Sequence, residues 1–171
     1  TAIRENKSFM TGAIDEYLTI FSNNLENFRI TEKNGEFDDQ VIDNIDKFLP
    51  FRDEAISLFS NIAQYAPTEE NIIKLHRFFE ALIPYRYRPA NVNRWSEYDF
   101  DNFKFIIHEM YLYIVAILIK NERFELLNKF LTQQYYVGDI SDFNRNSMVG
   151  YDIFREHLIS LEHRNIRLKL N

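Results

Sequence analysis

The least ordinary local chemistry in this chain sits in Tyr85-Arg86-Tyr87-Arg88, followed shortly by Arg94-Trp95. Arginine set between aromatic rings can grip a phosphate and stack on a base. The same residues make up protein-binding hot spots, where Trp, Tyr and Arg dominate. A third reading is structural: the rings seal a core while the arginines pair with acidic helices. The net charge of −6 weighs against nucleic acid, because phosphate contacts need a basic footprint. If the chain has a binding surface, the expectation is a protein partner held by Arg86, Arg88, Arg94 and Trp95.

Other candidates fail on spacing. His108-Glu109 opens like the zinc-protease helix motif, but the position that needs a second His is Leu112. His157 and His163 stand six residues apart, which turns them away from each other around a helix. No Glu stands three residues before any of the 4 His, so the Glu-x-x-His ligands of a di-iron bundle are missing. With 0 Cys there is no disulfide, thiolate ligand or thiol nucleophile. The expectation is a protein without metal or cofactor. The pairs Asp38-Asp39, Asp53-Glu54 and Glu69-Glu70 fall where helices begin, and negative charge there suits the helix dipole.

The elements that must position these residues read as helices. Only 4 Gly and 4 Pro occur, too few for the many turns of a β-sandwich or for a phosphate loop. Hydrophobic residues make up 46% and aromatics 16%, which supplies a core and excludes disorder. Phe9, Met10, Ile14, Tyr17, Leu18, Phe21, Leu25 and Phe28 form one stripe at steps of three and four. Val41, Ile42, Ile45, Phe48 and Leu49 form a second, with Pro50 as a break or kink before Ala55, Ile56, Phe59 and Ile62. Thr68 caps a helix carrying Ile72, Leu75, His76, Phe79 and Leu82.

Residues 84–98 read as a long irregular connection, and Ser96 or Asp99 caps the next helix. Phe103 to Ile119 is the most apolar stretch. It is shorter than the roughly 20 apolar residues of a bilayer span. It also carries Lys104, His108 and Glu109. The expectation is a buried central helix with Ile107, Ile114 and Ala116 inside, and no membrane. A short helix with Phe124, Leu127, Phe130 and Leu131 folds back on it. Gln134 to Val137 looks strand-like but without a visible partner, and a last helix runs from Tyr151 to Leu168.

These readings predict an all-α protein: one domain over residues 1–171, a helical bundle or compact array of about seven helices. The chain begins with Thr1, which fits either removal of the initiator or excision from a longer protein, and no apolar leader is visible. Together with the lack of cysteine this gives a cytoplasmic expectation.

Arg155 precedes His163 with seven residues between them, and Arg145-Asn146 has no His at a comparable distance. In size and helicity the chain resembles the HEPN class of helical ribonucleases, whose signature is Arg, four to six residues, then His. The resemblance implies the helical fold class and carries over no catalytic residue. The function expected is a non-catalytic protein-interaction or scaffold module. The alternatives are an accessory or sensor domain of a bacterial defence or stress protein, and a nuclease-like enzyme using scattered residues such as Arg86, Arg94, His108 and Glu109.

Overall fold

The computed structural model describes residues 7–32, 35–89, 94–138 and 147–170. Helix α1, Lys7–Asn24, tightens into a 3-10 turn at Leu25–Phe28. Its stripe turns inward as spaced, burying Ile14, Leu18, Phe21 and Leu25. The side chains of Phe9 and Met10 lie outside the described residues.

Helix α2, Phe37–Tyr65, runs unbroken through Pro50. Proline removes one amide donor and crowds the carbonyl four residues back. That carbonyl belongs to Asp46, and Asp46 and Pro50 are both exposed, so water can satisfy what the helix gives up. This continuity is one reason the described residues form six α-helices and not seven.

Helix α3, Glu69–Leu82, starts where Thr68 Oγ1 accepts the Asn71 amide at 3.3 Å. It leads into a 3-10 turn, Ile83–Arg86. A second 3-10 turn, Glu97–Phe100, opens helix α4, Asp101–Lys120. Here the Ser96 amide donates to Asp99 Oδ2 at 2.9 Å, half of a capping box. Helix α5, Phe124–Thr132, comes after a tight turn with Glu122 at φ 58°.

The strand-like segment does have a partner. β1, Tyr135–Val137, pairs antiparallel with β2, Ser147–Val149, placing Tyr136 opposite Met148. Residues 139–146, read from sequence as a loop, lie outside the described residues. The expected helix from Tyr151 is also divided. Tyr151–Phe154 is a 3-10 turn, and helix α6 spans only Ile159–Leu168. The cause is tertiary. The Asp101 carboxylate is wholly buried, and its Oδ2 accepts both the amide and the hydroxyl of Ser160 at 2.8 Å. That fixes the first turn of α6 eight residues later than periodicity suggests.

Apart from the two-stranded ribbon the fold is all-α. α4 packs chiefly on α2, α1 on α3, and α5 on both α3 and α4. Phe79 sits among Tyr111, Phe130 and Phe154 with ring centroids 5.2 to 5.8 Å apart. Tyr111 and Phe154 stack at 4.5 Å. α6 closes over the start of α2, where Arg164 donates to Asp39 at 3.0 Å and Arg167 to Asp38 at 2.9 Å.

His76 on α3 stacks on Tyr135 at 4.1 Å. Burial holds its imidazole below the usual 6.5, while the Glu80 carboxylate and the Gln134 backbone pull the other way. The fold therefore prefers the neutral ring. This contribution is complete above pH 6.5 and is lost as pH falls below it. The melting temperature should drop between about pH 7 and about pH 5, and His76→Gln should flatten that drop. A slope equally steep in the variant would remove His76 as its source.

Candidate functional site

Chain direction and proline set the position of Arg86. Pro84 opens the 3-10 turn Ile83–Arg86, which delivers the side chain into the protein and not out of it. Arg86 is only 2% exposed. Its Nη1 donates to the Ile153 carbonyl, and its Nη2 forms an ion pair with Glu156. The guanidinium lies 5.6 Å from the Phe154 ring centroid. Burial pushes Arg86 down to about 10, which still leaves it charged at neutral pH. The expectation that Arg86 reaches solvent is therefore corrected: it ties the connection before α4 to the segment before α6.

The other three predicted residues lie outside. The Arg88 guanidinium stands 5.6 Å from the Trp95 ring, and Trp95 is 39% exposed with its ring 6.3 Å from Phe100. Arg94 is exposed. The sequence grouped four residues that the fold separates into one internal tie and three surface groups.

Three of the scattered enzyme candidates, Arg86, His108 and Glu109, bond to other parts of the fold. Glu109 accepts Arg52 Nη1 at 2.9 and 3.1 Å, and Arg52 also lies 5.9 Å from the Tyr113 ring. His108 Nδ1 is 2.7 Å from the Phe154 carbonyl, so Nδ1 carries the hydrogen and donates. Arg86 and His108 thus secure consecutive carbonyls of one turn, a structural use of both. Among the described residues no group of three His, Cys, Asp or Glu could hold a metal.

The structure offers a different surface, on the outer side of α4. Leu112 is 53% exposed and Ile119 49%, and Ala116 between them is exposed too. Ile107 and Ile114 are fully buried as expected, but Ala116 is not. The expectation that helices surround α4 is corrected: steps of four and three leave one apolar strip on its outside. Beside the strip runs a groove of about 460 Å³. Leu112, Val115, Leu131 and Phe154 are among its apolar lining, and His108, Asp152 and Arg155 among its polar lining.

Sequence reasoning missed this strip because all-round apolarity looks the same in a fully enclosed helix and in one with an open side. Compared with known families, curated proteins and solved structures, the chain matches none.

Proposed function

We propose that the chain is a non-catalytic helical module of the cytoplasm that binds another protein through the outer strip of α4 and the groove beside it. The observation that carries the reading is the exposure of Leu112, Ala116 and Ile119 at helical spacing. Contiguous exposed apolar area rimmed by polar groups marks interaction surfaces. A strip next to a groove suits an amphipathic helix from a partner, whose apolar side chains enter at intervals of three and four.

A competing reading puts lipid against the same strip. The segment Tyr98–Lys120 has a window of mean hydropathy 1.5, long and apolar enough by length and composition to cross a bilayer. Half of that window is buried inside the protein. Its charged residues are also engaged, Lys104 with Asp101 at 3.3 Å and Glu109 with Arg52 at 2.9 Å. These features support a core helix with one side open to a protein.

A photo-crosslinking residue at Ala116, with Ser57 on α2 as the control position, tests the proposal in cells. The expected result is a protein adduct at 116 and none at 57. Ile119→Glu should abolish the adduct while shifting stability by no more than about 0.5 kcal/mol, as for other exposed positions. A lipid adduct, no adduct at 116, or an adduct that survives Ile119→Glu would sink the reading.

A further inference from the structure

The outer side of α4 changes character along its length. The groove takes His108, Tyr111, Leu112 and Val115 from the helix, none of them beyond residue 115. The turn Tyr151–Phe154 sits against that stretch: His108 Nδ1 is 2.7 Å from the Phe154 carbonyl, and the Tyr111 ring stacks on Phe154 at 4.5 Å. Past residue 115 the helix shows Ala116, Ile119 and Lys120, all exposed. One stretch is hollow and the next is open helix.

An interface between identical copies must complement itself: if one residue touches a second across it, the second touches the first. Two α4 helices laid antiparallel about a two-fold axis level with Ile114 meet that condition. Position 112 then faces 116, and 108 faces 120. At a rise of 1.5 Å per residue, His108 and Lys120 each lie about 9 Å along the helix from that axis. Leu112 of each copy meets the small Ala116 of the other, and large against small lets the two faces interdigitate. The open stretch of each copy covers the hollow of the other.

Charge favours the same pairing. Lys120 and Glu122 are exposed at one end of this face, Asp152 and Arg155 at the other. Among the described residues none of the four is in an ion pair. Each end carries one charge of each sign, so the face sums to zero in a chain whose net charge is −6. The antiparallel arrangement brings Lys120 of one copy to Asp152 of the other, and Glu122 to Arg155. A parallel pair would set Lys120 against Lys120 and hollow against hollow.

We propose that the occupant of the α4 surface is a second copy of this chain, the two α4 helices packing antiparallel about a two-fold axis near Ile114, with Lys120 of each copy against Asp152 of the other. This dimer rests on the reading of the α4 strip as a docking surface and names what docks there.

Analytical ultracentrifugation of the purified chain at low salt tests it. A face of this size suits a weak, reversible dimer. The average mass should climb toward twice that of the monomer between about 10 μM and about 1 mM. Lys120→Glu and Asp152→Lys should each weaken self-association about ten-fold, because the symmetry puts two like-charged pairs into every dimer. Mixed one to one, the two variants should associate within about three-fold of the parent, since every facing pair in the mixed dimer is again of opposite charge. Variants that merely unfold would not rescue each other. Monomer alone at the highest concentration would overturn the dimer, and an adduct from position 116 to a different protein would then leave the docking surface standing without it. A mixture no tighter than its components would also overturn the dimer, as would self-association that Ile119→Glu leaves intact.

Discussion

Arg86→Ala is expected to lower the melting temperature by about 10 °C. Removing one member of a buried ion pair costs about 3 to 5 kcal/mol, because the other is left charged and unpaired. In a chain of this size each kcal/mol corresponds to about 2 to 4 °C. Here the group left behind is Glu156, whose side chain is 14% exposed. The Ile153 carbonyl loses its donor and the Phe154 ring its guanidinium as well. Alanine at Arg94, on the surface, should change stability by no more than about 0.5 kcal/mol. A double variant, Arg86→Met with Glu156→Leu, should recover most of the loss, since apolar replacement of a whole buried pair is often neutral. Thermal melts of the four proteins decide. If Arg86→Ala and Arg94→Ala melt together, the internal tie has no energetic role.

Asp101→Ala should cost about 3 kcal/mol by the same logic, and the damage should be local. It strands the Ser160 amide and hydroxyl and leaves Lys104, itself nearly buried, without the carboxylate 3.3 Å away. Amide hydrogen exchange should accelerate across α6 well before it does across α2 and α4. Asp101→Asn should fall between parent and alanine, because its amide oxygen can still accept from Ser160 while its charge is gone. Uniform acceleration over all helices would show that α6 does not open separately.

The helices were legible wherever one side of the period faces water. Ile14, Leu18 and Phe21 on α1 and Ile72, Leu75 and Phe79 on α3 are buried as their spacing requires. Elements set by distant contacts were not. Nothing within residues 151–160 says that α6 must wait for Asp101, and three residues such as Ser147-Met148-Val149 are too short to show a strand period. Pro50 misled for the opposite reason. Its local cost is real, but an exposed carbonyl at Asp46 absorbs it.

The candidate site shows the same division. Composition drew attention to Arg86, Arg88, Arg94 and Trp95, yet composition cannot say which arginine points inward. The Arg86 partners, Ile153 and Glu156, lie about seventy residues further along the chain. The α4 strip was visible as apolar residues, and only the placement of α5 and of the turn at Tyr151–Phe154 reveals which side they leave open.

The pairing of Arg164 and Arg167 with Asp39 and Asp38 bears on how the protein emerges from the ribosome. These partners are 125 and 129 positions apart. Closing so long a segment carries an entropy cost that grows with the logarithm of its length. While residues 147–170 are still in the exit tunnel, Asp38 and Asp39 have no cation from α6, Arg86 has no Glu156, and Asp101 has no Ser160. The nascent chain can form the α1–α3 and α2–α4 contacts first. Until residues 153–160 arrive, Arg86 and Asp101 lack the partners that enclose them and stay solvated. Synthesis therefore passes through a stage at which the most apolar helix is present but not yet closed over by α6 and the turn before it.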